Sequence, residues 1–176
     1  LPAVEAAATV AAKPAAPIAK RITPSEQVPW GVKMMYNEPT MIKSSGGIGI
    51  NVAVLDTGVV RTHLDLKNRV KDCKDFSSNR APIVDGKCED KNGHGTHVAG
   101  IIVADGGSDS KGIYGMAPEA NLFAYKVCSD SGFCWADDIA VAIQFAADNS
   151  ANIINMSLGS DTESSLISNA ITYAVS

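Results

Sequence analysis

The sequence predicts an α/β fold in which a parallel sheet is flanked by helices. Ile48 to Leu55, Leu122 to Val127 and Asn152 to Met156 are short apolar runs of the kind found in strands buried on both faces. Helical stretches separate them, one opening near His94 and one running from about Asp137 to Asp148. Strands that alternate with helices pair in parallel through crossover connections. In such sheets ligands gather at the carboxyl ends of the strands, and Asp56 and Ser157 both lie directly after one.

Along the chain, residues 1–24 form an Ala/Pro-rich leader. It has neither a basic start nor a long apolar stretch, so it reads as a flexible segment rather than a signal peptide. Residues 25–176 form the folded unit. A short helix is expected to follow Ser25 and to reach about Met41, and Ser44-Ser45-Gly46-Gly47 is a turn. The first strand leads into Asp56-Thr57-Gly58, and Ser164 to Ser176 reads as an amphipathic helix. Gly46-Gly47-Ile48-Gly49 is not a dinucleotide fingerprint, because those glycines precede a strand instead of following one.

The chain has 176 residues, of which 45% are hydrophobic and 19% charged, enough for one domain with a core. Fifteen basic against nineteen acidic side chains give a net charge of −4 with no Lys/Arg-rich run, so nucleic acid is not an expected partner. The apolar runs fall short of the ~20 residues that cross a bilayer, and no membrane partner is expected. Cys73, Cys88, Cys128 and Cys134 allow three disulfide pairings. The neighbouring pairs, Cys73 with Cys88 and Cys128 with Cys134, lack C-x-x-C spacing, which argues against zinc or redox motifs. Disulfides in an oxidising compartment are the favoured reading, with free thiols the alternative.

The stretch Asn92-Gly93-His94-Gly95-Thr96-His97 opens the second helix. Gly93 and Gly95 remove both neighbouring side chains from His94, so that its imidazole can be approached by a substrate backbone. A neutral imidazole works as a general base when a buried carboxylate sets its tautomer and orientation, and Asp56 is the candidate. Each residue also has an ordinary reading, Asp-Thr-Gly as turn chemistry and the histidines as capping or core groups.

Four motifs, I-N-V-A-V-L-D-T-G, N-G-H-G-T-H-V-A-G, G-I-Y-G-M-A-P and N-M-S-L-G, occur in this order. Together they resemble the subtilisin-like serine peptidases over about Glu26 to Ser176. The resemblance implies a three-layer α/β fold, incomplete at its C-terminal side, and a secreted endopeptidase that acts on polypeptides through an Asp-His-Ser triad. Asp56 would orient the base, His94 would be the base, and His97 would brace the helix. Ser157, Leu158 and Gly159 would pair with the substrate backbone, and Ser131 and Gly132 would form the opposing edge. Asp65, Glu26 and the loop from Asp105 to Gly112 would contribute to a structural calcium site, with no cofactor needed for catalysis. The leader would end a propeptide processed at Lys20-Arg21, and the complete enzyme would be a monomer.

The family's G-T-S-M-A nucleophile motif and its oxyanion-hole asparagine do not appear in these residues. The expectation is therefore the first part of a peptidase domain, inactive by itself, whose third strand stands at an open sheet edge. One alternative is a peptide-binding remnant without hydrolysis. Another is a dimeric aspartic peptidase built on Asp56-Thr57-Gly58, which needs two carboxylates to share a proton. A metal enzyme using His94 and His97 is disfavoured, since their spacing does not match the zinc peptidase helix.

Overall fold

In a computed structural model, residues 3–5, 24–78, 83–109 and 111–176 are described. The leader and the Lys20-Arg21 processing point lie outside them, apart from β1 (Ala3–Glu5). There follow α1 (Trp30–Met35), β2 (Asn51–Asp56), β3 (Val70–Asp75), β4 (Val84–Asp85), α2 (His94–Val103), β5 (Asn121–Lys126), β6 (Phe133–Trp135), α3 (Ala136–Asp148), β7 (Ile153–Asn155) and α4 (Ser165–Ala174). The main sheet has the order β4-β3-β5-β2-β7. β3, β5, β2 and β7 are parallel, and β4 runs antiparallel to β3.

Alternation along β2 builds the three layers. Val52 and Val54 join Leu122, Ala124 and the α2 residues Ala99 and Val103 on one face. Ala53 and Leu55 join Tyr125 and the α3 residues Ile139, Ala142 and Ile143 on the other, with Ala170 of α4. Side chains of a strand alternate between faces, so each helix layer receives every second residue. Asp56 shares the parity of Val52 and Val54, which directs it to the α2 side. α3 earns its place by spacing: Ala136, Ile139, Ala140 and Ile143 recur at helical intervals and are buried.

Three elements differ from expectation. α1 stops at Met35 rather than Met41, because Asn37 takes a left-handed φ of 53° and Pro39 follows. β3, with the sequence Val-Lys-Asp-Cys-Lys-Asp, carries too much charge to read as a strand; it forms because β5 pairs with it along its length. β1 was expected to be flexible leader, yet its backbone pairs antiparallel with β6, Ala3 opposite Trp135 and Glu5 opposite Phe133. Both disulfides join the neighbouring pairs, Cys73–Cys88 and Cys128–Cys134.

Candidate active site

Asp56 ends β2 on the α2 face and is 1% exposed. A buried carboxylate needs donors, and it has them. The Thr57 N–H donates to Oδ1 at 2.7 Å, and His94 Nδ1–H donates to Oδ1 at 2.8 Å and lies 3.0 Å from Oδ2. Because a carboxylate only accepts, Nδ1 is the donor in this contact, and in the neutral imidazole the lone pair then falls on Nε2. The His94 side chain is 24% exposed, so the ring reaches the surface while its inner nitrogen is held. Such an imidazole can take a proton from a hydroxyl presented at Nε2.

Two glycines allow this close approach. A Cβ at Gly95 would collide with the Gly58 carbonyl and press on the Asp56 carboxylate. Gly58 itself has φ +108° and packs against the Cys88 carbonyl. Sequence reasoning passed over three further groups here. Lys126 is buried at the end of β5, where its Nζ donates to the Thr57 carbonyl at 2.7 Å. Thr57 and Asp90 form hydrogen bonds around the start of α2. The run Asp90-Lys91-Asn92-Gly93 is the signal that was available, since Asp before Asn-Gly commonly folds a turn through its side chain.

The predicted edge segments flank this pair. β7 pairs with β2 with Asn155 opposite Val54, which brings Ser157, Leu158 and Gly159 beside the end of β2. Asn155 Nδ2 donates to Ser157 Oγ at 3.0 Å, and Leu158 packs on the core under α3. On the other side, residues 128–134 form a tight loop closed by the Cys128–Cys134 disulfide and by the Ser129 N–H donating to the Phe133 carbonyl at 2.7 Å. Ser131 and Gly132 occupy its tip, where Gly132 takes φ +89°. Asn92 Nδ2 donates to the Asp130 carbonyl at 3.2 Å, so this loop is tied to the segment carrying His94. Hydrogen bonding and charge from Lys126, against some burial and with help from Lys91, hold the Asp130 carboxyl below the usual aspartate range.

The residues expected to hold a metal do not all meet. Asp65 Oδ2 accepts the Ile113 N–H at 3.1 Å, which places it at the loop beginning with Asp105. Glu26 instead pairs with Lys33 at 2.9 Å with its side chain 63% exposed. Its neighbour Gln27 turns inward and donates from Nε2 to the Gly112 carbonyl at 2.9 Å. At this point the chain turns the Gln27 side chain toward the loop and leaves Glu26 at the surface. Among the described residues no three His, Cys, Asp or Glu side chains cluster as metal ligands do. His97, expected to brace the helix from within, is exposed and lines a 780 Å³ apolar groove with Trp30, Met35, Ile101 and Met116. One residue past Thr96 in the helix, it has rotated away from the sheet.

Known proteins share this arrangement of elements. The Subtilase family model matches residues 47–176. A subtilisin from Bacillus sp. (strain TA39) is 50% identical over 172 residues, 95% of this chain and 40% of that protein. The thermophilic serine proteinase of Bacillus sp. (strain AK1) is 39% identical over 82% of this chain and 35% of its own length. Among solved structures, sphericase superposes with a TM-score of 0.82 at 54% identity, covering 85% of this chain and 50% of that one. The S41 psychrophilic protease gives 0.81 at 53% identity, covering 86% and 50%. This chain thus spans about half or less of the proteins it matches, and by sequence and fold together it belongs to the subtilase family.

Proposed function

We propose that this chain is the part of a serine endopeptidase that supplies the acid and the base of its triad, the serine lying in a segment beyond Ser176. The contact from His94 Nδ1 to Asp56 at 2.8 Å carries the reading. In the complete enzyme His94 Nε2 takes the serine proton as the serine oxygen attacks a peptide carbonyl carbon. Asp56 stabilises the imidazolium that results. The same proton then passes to the leaving amine, the C–N bond breaks, and an acyl-enzyme remains for water to hydrolyse. Ser157 to Gly159 and the loop tip at Ser131 and Gly132 hold the polypeptide as an extended strand between them.

The dimeric aspartic peptidase loses ground, because a carboxylate held by an imidazole is not available to share a proton with a second one. Two disulfides favour an oxidising compartment, hence secretion. The leader is read as the end of a propeptide cut at Lys20-Arg21, which N-terminal sequencing of the mature protein tests. A structural calcium is part of the reading as well. The Asp65 carboxylate, the Gln27 amide oxygen and carbonyls of the following loop are hard oxygen donors that suit this ion, and it has no part in the reaction.

A fluorophosphonate probe tests the central reading. Labelling of a chain extended past Ser176, none of residues 1–176 alone, and loss of hydrolysis by at least about 10²-fold in the extended His94→Ala variant are expected. Labelling of the short chain, or full activity of His94→Ala, would overturn it. Peptide binding without labelling of either chain would favour the non-catalytic alternative.

A further inference from the structure

We infer that Asp90 is a positioning residue for the proposed Asp56–His94 pair, locking the loop that carries the imidazole onto the end of the strand that carries the carboxylate. The inference rests on the peptidase reading above and extends it. The side chain is buried, with the residue 5% exposed, and each oxygen is in use. Oδ1 accepts the Thr57 hydroxyl at 3.0 Å, the Asn92 N–H at 2.9 Å and the Gly93 N–H at 2.8 Å. Oδ2 accepts the Thr96 N–H at 2.9 Å and the Thr96 hydroxyl at 2.6 Å. These donors bracket His94 on both sides along the chain.

The link to Asp56 runs through Thr57. With its O–H donated in a hydrogen bond to Asp90, Thr57 Oγ1 accepts the Gly95 N–H at 3.0 Å, while the Thr57 N–H donates to Asp56 Oδ1 at 2.7 Å. Two residues, Thr57 and Asp90, therefore connect the carboxylate to both neighbours of the imidazole. The need for them follows from the glycines. Gly93 is the N-cap of α2, has φ +104° and offers no side chain to cap the helix. The N–H groups of Gly95 and Thr96 in the first turn would go unpaired without Thr57 and Asp90. A carboxylate at a helix N-terminus also meets a favourable dipole. Burial raises the Asp90 carboxyl, but hydrogen bonds from Gly93, Thr96 and Thr57 outweigh it and hold the group ionised below the usual aspartate range.

A glycine-flanked loop without this anchor would sample positions displaced from Asp56. A misplacement of about 1 Å costs about 10²-fold in rate, without necessarily weakening substrate binding. The experiment uses the full-length enzyme. Asp90→Asn keeps the volume but sets an amide N–H₂ against N–H donors. Its kcat is expected to fall about 10- to 100-fold with KM within about twofold. The low-field proton resonance of the His94 Nδ1–H should shift or broaden. Thr57→Val should reproduce both effects, and Thr57→Ser, which keeps the oxygen, should recover most of the loss. The double variant Thr57→Val/Asp90→Asn should lose no more than the worse single, since both cut one path.

Wild-type kcat and an unchanged resonance in folded Asp90→Asn, even with a lowered Tm, would overturn the inference by leaving Asp90 a purely structural role. Additive losses in the double variant would overturn it too. Should Asp90→Asn fail to fold, the Thr57→Val and Thr57→Ser pair decides alone. A failure of the peptidase reading is distinct, because it would show as undiminished hydrolysis in His94→Ala.

Discussion

The backbone N–H of Cys128 donates to the carbonyl of Asp56 at 3.2 Å, beside the Val127 N–H at 2.9 Å on the same oxygen. The carboxylate residue of the proposed triad and the cysteine that closes the edge loop are thus joined through one carbonyl, across neighbouring strands. The two disulfides consequently have different neighbourhoods. Cys128–Cys134 closes a loop that Asn92 ties to the segment carrying His94, whereas Cys73–Cys88 ties β3 to the segment before Asp90.

Removing each disulfide in the full-length enzyme should separate these neighbourhoods. The Cys128→Ser/Cys134→Ser variant is expected to raise KM for extended peptides several-fold with little change in kcat, because the loop proposed to pair with substrate loses its order. Chain entropy assigns that short closure about 2 kcal/mol of stability. The Cys73–Cys88 disulfide closes a longer loop, worth about 3 kcal/mol, so the Cys73→Ser/Cys88→Ser variant should lower Tm more while leaving KM near wild type. Equal KM values in both variants would remove the edge loop from the binding site.

Asp56→Asn preserves shape but presents an amide to His94. The amide group can turn its N–H₂ toward Nδ1 and favour the wrong tautomer, so kcat should fall by about 10⁴-fold with a small change in KM. Steady-state kinetics on a peptide substrate measure it, and a loss under tenfold would remove Asp56 from its role.

Gly95→Ala addresses packing. Its added Cβ meets the Gly58 carbonyl and the Asp56 carboxylate, neither of which can move without disturbing the end of β2. Overpacking of this kind costs about 1–3 kcal/mol, and the variant should show a lower Tm together with reduced kcat. Thermal unfolding followed by circular dichroism is the readout, with Gly100→Ala as a control, since a Cβ at Gly100 meets open space.

Asp138 provides a pH dependence. Burial, with the charges of Asp137 and Asp75, pushes its pKa up from 3.8 to about 6. A carboxyl whose pKa is higher in the folded state binds its proton more tightly there. Stability therefore declines as pH rises through the interval from about 4 to 6, and stays lower above it. The side chain is partly exposed, so solvent screening reduces the effect to about 1 kcal/mol. Asp138→Asn should raise Tm at pH 8 and leave it unchanged near pH 4; an equal shift at both would exclude this titration.

The calcium reading is checked by chelation. Tm of the wild-type enzyme should fall in EDTA and recover with added calcium, and Asp65→Asn should abolish that recovery. Glu26→Gln should not, since Glu26 faces Lys33 at the surface.

The β2, β5 and β7 strands and the helices α2, α3 and α4 were legible because apolar periodicity reports burial directly. Asp56 and His94 were legible because each sits at an element boundary with glycines around it. β3 was not, since its lysines and aspartates are half-solvated beside an edge, and only pairing with β5 makes it a strand. Asp90 was not either, because its partners Thr57, Gly93 and Thr96 matter only once two distant segments meet. The family resemblance puts Glu26 at the metal, whereas in the folded chain Gln27 faces the loop and Glu26 pairs with Lys33.

From its order of residues alone, this protein's layered α/β character, its family and the two residues proposed for proton transfer can be read, because periodicity and glycine placement act locally along the chain. The cysteine pairing, the partner of Gln27, and the path from Asp56 through Thr57 to Asp90 were decided by tertiary packing. Each is a contact between groups far apart in sequence, and a hydrogen bond or disulfide forms only where folding brings its two atoms within bonding distance.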